Sequence, residues 1–83
     1  ADHILDYIEL DEEHAIFEIS VPNGWVGKTI GQLDIRKKYN INIMALKHNG
    51  VMNLRISPDT SLPKDDTMLV LGDIKSIKKC FHI

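Results

Sequence analysis

The first part of the chain alternates between apolar and polar residues, a pattern typical of strands with one buried face. Residues 4–10 form a short extended segment, and residues 15–21 form a second one after an acidic turn. In the second segment Phe17, Ile19 and Val21 fall on one face. We therefore predict two strands close together at the start of the domain.

A helix is predicted next. Thr29 and Gln32 have the spacing of a capping box, in which each side chain bonds the backbone N–H group of the other residue. Ile35 and Tyr39 lie one turn apart on a common stripe. Asn40 suits the left-handed conformation that often ends a helix. The pattern thus predicts one helix between Thr29 and Asn40.

A strand and a hairpin follow this helix. Residues 41–46 carry apolar side chains on both faces, and Asn49-Gly50 lies between two extended runs. Asn-Gly in this position is a strong signal of a tight hairpin. The return strand is predicted to carry three apolar residues on one face: Met52, Leu54 and Ile56.

The last part of the chain contains a loop, a strand and a helix. Residues 57–66 are rich in turn formers, and residues 67–71 form a continuous apolar run suited to a buried central strand. Asp73 is a good N-cap for a helix whose apolar stripe is Ile74, Ile77 and Phe81. The predicted order is β-β-α-β-β-β-α, a small α/β sandwich with a largely antiparallel sheet, in a single domain spanning residues 1–83.

Composition fits a small soluble domain. The chain has 83 residues, of which 43% are hydrophobic and 27% are charged. A domain of this size buries only about 60% of the surface that its unfolded chain exposes. Association with a second copy would add apolar burial, so the size hints at an oligomer.

The cysteine content and the lack of a long apolar run point to a cytoplasmic location. Cys80 has no intramolecular disulfide partner, which favours a reducing compartment. No apolar run approaches the roughly 18 residues of a membrane span, and no secretory leader is visible. Because the chain opens at Ala1 rather than Met and looks structured from Asp2 onward, we expect it to be part of a longer protein.

The net charge of −2 conceals an uneven distribution. Residues 1–20 contain seven acids and no Lys or Arg, whereas residues 28–39 contain four Lys or Arg residues against Asp34. An anionic ligand would be drawn to the second segment and repelled by the first. An ordinary mixed-charge surface would explain the same pattern, and a duplex-binding protein would show a larger basic excess.

Catalytic and metal-binding patterns are unconvincing. The histidines lack the spacing of a zinc site, and the Gly-Lys-Thr of residues 27–29 lacks the glycine spacing of a Walker loop. Cys80 shares a helix with apolar residues and is expected in the core. Asp65-Asp66 looks like a carboxylate pair, but adjacent loop residues point apart, which favours a solvated turn. We predict no catalytic residue, no metal site and no enzyme activity. A small hydrolase or metal-dependent enzyme is an alternative weakened by the missing nucleophile and ligand spacing.

One group of residues does suggest ligand binding. The predicted helix carries Asp34 and Arg36, and the next strand carries Asn42. An arginine fork suits phosphate oxygens, an asparagine amide can match a purine edge, and the neighbouring isoleucines offer an apolar seat for a flat base. The same residues would also suit an ordinary surface helix with a local ion pair beside a sheet edge. From the residues alone, both interpretations stay open.

The chain resembles the C-terminal RCK (TrkA-C) domain of Ktr- and Trk-type potassium uptake regulators, above all the Ktr gating subunit of Gram-positive bacteria. The residues that carry this resemblance are 16–19, 27–30, Leu33, Arg36, Asn49-Gly50, Pro58, Asp59, Leu62 and 66–72. Members that bind cyclic di-AMP share a pattern that this sequence matches at Ile30, Asp34, Arg36, Asn42, Ile43 and Met44. Gly31 departs from the pattern, since an aliphatic residue is usual there, and Met44 stands where a branched aliphatic is usual.

The resemblance implies a homodimer that binds cyclic di-AMP at its two-fold interface and thereby lowers potassium uptake. A two-fold axis presents each side chain twice to a two-fold symmetric ligand. Arg36 would then bind a phosphate, and the Asn42–Ile43 segment would bind ribose or base edges. Asp34 would orient Arg36 or bond the base, and the apolar walls would be Ile30, Ile35 and Pro58.

The resemblance also implies the wider setting of the domain. In the family it follows a nucleotide-binding Rossmann lobe that contacts a membrane potassium channel subunit, so the protein would be cytoplasmic and peripheral to the membrane through the transporter. We expect no NAD or ATP site in this part of the chain. Nucleic-acid binding is not expected, because Trp25, Tyr39 and the basic residues do not alternate along a groove-like segment. The main alternative is a dimerisation module of the same fold with no ligand or a different small ligand.

Overall fold

The elements of the fold follow the predicted order closely. The computed structural model describes residues 4–83, so the expectation of structured sequence from Asp2 onward concerns a residue outside this range. The strands are β1 (Ile4–Glu9), β2 (His14–Ser20), β3 (Asn42–His48), β4 (Val51–Asn53) and β5 (Thr67–Asp73). The α-helices are α1 (Ile30–Leu33), α2 (Ile35–Tyr39) and α3 (Ile74–Phe81), and a short 3-10 helix spans Asn23–Trp25 before α1. Apart from the division of one helix into α1 and α2, the order is β-β-α-β-β-β-α as predicted.

The strands form one sheet in the order β1-β2-β5-β3-β4. Every neighbouring pair in this sheet is antiparallel, which confirms the antiparallel α/β architecture. β5 lies at the centre, as its continuous apolar run predicts. It joins the N-terminal strand pair to the pair that follows the helices.

One face of the sheet is buried. Alternate residues of β2 and β5 point to this face, and the predicted inward positions Phe17, Ile19 and Val21 are all buried. Ile35 of α2 and Ile77 of α3 belong to the same core cluster. The removal of these apolar surfaces from water supplies most of the driving force for folding.

The prediction of one continuous helix is wrong, because Asp34 adopts the left-handed conformation with φ of 52° and separates α1 from α2. In one continuous helix Ile30 and Ile35 would point about 140° apart. The break lets Ile35 become buried while Ile30 stays half-buried. Aspartate is one of the few residues besides glycine that tolerates this conformation.

Both predicted ends of the helical segment are confirmed. The backbone N–H of Thr29 donates to Gln32 Oε1 at 2.8 Å, and the backbone N–H of Gln32 donates to Thr29 Oγ1 at 3.1 Å, which is a capping box. Asn40 follows α2 with φ of 57°.

The hairpin between β3 and β4 forms where predicted but is shorter. The Asn49-Gly50 pair has positive φ values of 49° and 78°, as the tight turn requires. β4 ends at Asn53, whose side chain accepts a hydrogen bond of 3.0 Å from the backbone N–H of Arg55 and turns the chain away from the ladder. Leu54 and Ile56, predicted as strand residues, therefore lie in the connection to β5.

β3 contains an irregularity that interrupts its predicted alternation. The pairing with β5 shifts between Ile43 and Ala45, which leaves Met44 as the extra residue of a bulge. Ala45 and Leu46 are consequently both buried, although they are adjacent. Met44 is largely exposed.

The prediction that Asp65-Asp66 forms a solvated turn is half wrong. Asp65 is exposed with φ of 69°, but only 5% of Asp66 is exposed. The carboxylate of Asp66 lies 2.6 Å from Nδ1 of His48 at the end of β3. A buried carboxylate needs such a partner, so Asp66 links the hairpin to the start of β5.

α3 begins and packs as predicted. Asp73 Oδ2 accepts a 2.9 Å hydrogen bond from the backbone N–H of Ser76, and the bonds to Ser76 hold the pKa of Asp73 below its ordinary value. Ile77 and Cys80 are buried on its inner face. Within the described part of the chain, no helix has the length and apolarity needed to cross a bilayer.

Cys80 should react slowly with alkylating agents in the folded chain. Burial raises the pKa of its thiol from 9.0 to about 11, which lowers the reactive thiolate fraction at neutral pH about 100-fold. In buffer at pH 7.5, we expect iodoacetamide to label Cys80 at least about 100-fold more slowly than in urea. Equal rates in the two conditions would show that the thiol is accessible and contradict its place in the core.

Candidate ligand-binding site

The predicted binding residues line one cavity of about 380 Å³. It lies between α1 and α2, the start of β3 and the connection that follows β4. All of the residues proposed from the sequence contribute to its wall: Ile30, Asp34, Ile35, Arg36, Asn42, Ile43 and Pro58. The structure therefore brings together side chains from three separate parts of the sequence.

Four further residues line the cavity that the sequence did not assign: Gly31, Ile41, Ile56 and Ser57. Ile56 and Ser57 reach the cavity because β4 ends at Asn53 and the chain that follows passes beside α1. The one signal of this in the sequence is that an apolar residue, Ile56, directly precedes Ser57-Pro58. Gly31 was visible in the sequence as a departure from the family pattern, but its contact with Pro58 was not.

Arg36 supplies positive charge to the cavity. It is exposed in the first turn of α2, and none of the ion pairs formed among residues 4–83 includes it. The proposed orientation of Arg36 by Asp34 therefore has no direct contact to support it in this structure. A free guanidinium at the wall of a cavity can bind an anion without breaking an existing ion pair.

Asn42 lines the same cavity and carries an unsatisfied polar atom. Its Oδ1 is buried and has no hydrogen-bond partner among the described residues. A buried polar atom left without a partner costs about 1–3 kcal/mol. Since an amide oxygen only accepts, an added hydrogen-bond donor from a ligand or a second chain would satisfy it.

The apolar part of the wall differs in one respect from the expectation. Ile30 and Ile43 are half-buried and offer free surface, and Pro58 is exposed. Ile35 is only 4% exposed and packs chiefly in the core, so it supports the cavity more than it forms its surface.

The cavity carries positive charge at Arg36 and lies beside a depression lined by acidic side chains. A second, open depression on the other side of Asn42 is lined by Asp11, His14 and Asp73. The backbone N–H of Glu13 and the His14 ring lower the pKa of Asp11, and the hydrogen bond to Asp11 raises the pKa of His14. An anion is therefore expected beside Arg36 rather than in this depression.

The loop that follows Ile56 is tied to the start of α1. Ile30 N–H donates to the carbonyl of Thr60 at 3.0 Å, and Gly31 N–H donates to the carbonyl of Pro58 at 2.8 Å. These N–H groups would otherwise be free at a helix start. Since both N–H groups already donate to carbonyls of the loop, Arg36 rather than the start of α1 is available to bind an anion.

The chain is similar to known proteins of one family. The TrkA-C domain model matches residues 15–82. Ktr system potassium uptake protein C of Bacillus subtilis (strain 168) is 34% identical over 79 residues, which cover 95% of this chain and 36% of that protein. The chain thus spans about a third of the length of this relative.

Two solved structures extend the comparison. The RCK C domain of potassium transport protein KtrA, in complex with cyclic di-AMP, is 28% identical with a TM-score of 0.76, and 84% of each chain is covered. The RCK_C domain dimer of S. agalactiae BusR, also in complex with cyclic di-AMP, is 25% identical with a TM-score of 0.65, covering 81% of this chain and 95% of that one. Sequence, fold and family model agree, and the chain belongs to the TrkA-C (RCK_C) domain family.

Proposed function

We propose that this chain is a regulatory, non-catalytic domain of a potassium transport protein that binds cyclic di-AMP at a two-fold dimer interface and thereby inhibits potassium uptake. The observation that carries the proposal is the cavity itself. It combines apolar surface from Ile30, Ile43 and Pro58 with the Arg36 guanidinium and Asn42 Oδ1, neither of which has a polar partner among residues 4–83. Two relatives of the same fold were solved with this dinucleotide.

The symmetry of the ligand matches an isologous dimer. Cyclic di-AMP contains two adenosines and two phosphates related by a two-fold axis. Each copy of the chain would bind one phosphate through Arg36 and one adenosine through Asn42 and Ile43. One copy alone offers half of these contacts, so dimerisation is part of the binding mechanism.

An exposed apolar surface borders the cavity and supports dimerisation. Met44 is 43% exposed beside Ile43, and Leu54 is 69% exposed two residues before Ile56. Val51 and Met52 of β4 are exposed as well, on opposite faces of the sheet. Large exposed apolar side chains beside a cavity are typical of a surface that another chain covers.

The free energy of the proposed contacts can be compared with the free energy that micromolar binding requires. Two charged hydrogen bonds contribute about 1.5–3 kcal/mol each, and two packed bases contribute about 1–3 kcal/mol each. Micromolar binding requires about 8 kcal/mol after the costs of ordering are subtracted. The gross sum of about 5–12 kcal/mol includes this value, so micromolar binding requires most of these contacts to form at full strength.

Regulation would follow from a shift between arrangements of the two subunits. A ligand changes transport only if it binds one arrangement more tightly than another. We propose that an N-terminal Rossmann-type lobe and a membrane potassium channel subunit transmit this shift. The protein would accordingly be cytoplasmic and peripheral to the membrane through the transporter.

Calorimetric titration of the 83-residue chain tests this function. We expect heat that saturates at one cyclic di-AMP per two chains, and much weaker binding of cyclic di-GMP, whose guanine presents a different edge to Asn42. Sedimentation with and without ligand should show the dimer. A dimer that gives no heat with cyclic di-AMP would favour the alternative, a dimerisation module with no ligand or a different one.

A further inference from the structure

β1 is an edge strand whose apolar side chains are left uncovered by residues 4–83. It pairs with β2 on one side only, so the backbone groups along its other side have no strand partner within the described sheet. Tyr7 stacks on Phe17 with ring centroids 5.4 Å apart, and Ile8 points to the opposite face of the sheet. Four large apolar residues in and just after this strand are between 53% and 58% exposed: Leu5, Tyr7, Ile8 and Leu10. An apolar edge of this kind is a surface to which another chain can bind.

The charges in and beside β1 are all negative. Five exposed carboxylates lie in this strand and in the turn that follows it: Asp6, Glu9, Asp11, Glu12 and Glu13. Among residues 4–83, the one ion pair that these carboxylates form joins Asp11 to His14. Two copies of β1 paired along their free edges would bring like charges together, which is destabilising. The charge therefore favours a partner that is apolar and basic.

The solvent side of α3 has this character. The exposed residues of the helix are Lys75, Lys78 and Lys79, and no ion pair formed among residues 4–83 includes any of them. α2 packs beside α3 and adds Lys37 and Lys38, which are also exposed. A lysine side chain combines an apolar stem with a terminal ammonium, so it can cover an apolar side chain and pair with a carboxylate at the same time.

We propose that β1 of one copy of the chain docks against α3 of a second copy, with the lysines of α3 over the apolar and acidic side chains of β1. α3 packs against β5 at the centre of the sheet, whereas β1 forms one edge, so a single copy can use both surfaces at once. Such a contact is heterologous and leads to a ring or an open chain of copies. Neither β1 nor α3 lines the cavity beside Arg36, so this assembly is independent of the proposed dinucleotide binding.

The contact is expected to be weak and sensitive to salt. Exposed ion pairs contribute little one at a time, so several of them have to act together with the burial of apolar surface. Added salt screens the attraction between exposed charges. We expect association at high protein concentration, with an association constant that falls at least about tenfold between about 0.05 and 0.5 M NaCl.

Charge reversal on each surface tests the proposal. Sedimentation velocity of the 83-residue chain is measured over a range of concentrations at low salt for wild type, Asp6→Lys/Glu9→Lys and Lys78→Glu/Lys79→Glu. We expect wild type to form species larger than a dimer, and each double variant alone to associate at least about tenfold more weakly. An equimolar mixture of the two variants should restore the larger species, because every contact in it joins a basic surface to an acidic one.

Lys28→Glu/Lys64→Glu is the matched control for charge reversal. It makes the same change in net charge at two exposed lysines that lie outside β1 and α3, and it should associate as wild type does. The proposal is overturned if wild type never exceeds a dimer, if either variant assembles like wild type, if the mixture stays dissociated, or if the control loses association equally. Circular dichroism verifies folding, and if Asp6→Lys/Glu9→Lys does not fold, Lys78→Glu/Lys79→Glu compared with the control decides.

Discussion

Replacing Arg36 with alanine should weaken cyclic di-AMP binding by at least about 100-fold. The guanidinium is exposed at the cavity and forms no ion pair among residues 4–83, so its charge is available to the ligand. A charged hydrogen bond contributes about 1.5–3 kcal/mol, and a symmetric dimer loses it twice. Each 1.4 kcal/mol corresponds to a factor of about ten in affinity.

Lys37→Ala is the matched control for this experiment. Lys37 is the next residue of α2, is exposed and carries the same charge, but it does not line the cavity. If Arg36 acted only by long-range attraction, both variants would bind cyclic di-AMP equally weakly. Added salt would then reduce the loss of affinity in both. A direct phosphate contact requires a large loss for Arg36→Ala only. Wild-type affinity in Arg36→Ala would remove the assignment of this residue.

Replacing Gly72 with alanine should destabilise the fold strongly. Gly72 lies in β5 opposite Ala15, on the buried face of the sheet. An added Cβ would overlap the Cγ2 methyl of Ile41 and lie 3.1 Å from its Cβ. Overpacking of this kind costs about 1–3 kcal/mol, and each kcal/mol lowers the melting temperature of a small domain by about 4–8 °C.

Two further variants identify the cause of this loss. Gly24→Ala adds the same methyl group in open space and should leave the melting temperature nearly unchanged. Ile41→Leu removes the Cγ2 branch, so the double variant Gly72→Ala/Ile41→Leu should be less destabilised than the sum of the single changes. Simple additivity of the two changes would mean that the Ile41 contact is not the source of the effect. Thermal unfolding followed by circular dichroism supplies all of these values.

Local signals in the sequence predicted most of the fold. The alternation around Phe17, the capping box of Thr29 and the Asn49-Gly50 turn each depend on neighbouring residues, and the structure confirms all of them. The wrong predictions concern features that depend on contacts between residues distant in the sequence. Asp34 separates α1 from α2, which lets both Ile30 and Ile35 pack against one core, and Asp66 is buried with His48 as its hydrogen-bond partner.

The candidate site depended on the family resemblance more than on residue chemistry. Arg36 and Asn42 alone favoured an ordinary helix beside a sheet edge over a ligand site. The structure shows that they line one cavity, but no pattern in the sequence reveals that Pro58 contacts Gly31, since 26 residues lie between them. Contacts of this kind follow from the path of the loop, which local periodicity does not encode.

The central place of β5 has a consequence for the order in which the domain assembles. The sheet order β1-β2-β5-β3-β4 leaves the two earlier strand pairs without any direct ladder between them. During synthesis each pair can form as soon as it leaves the ribosome, but neither can join the other until the C-terminal strand has been translated. The domain is therefore expected to reach its native state only after synthesis of β5 is complete. Until then, β2 and β3 each present an open sheet edge that chaperones can protect.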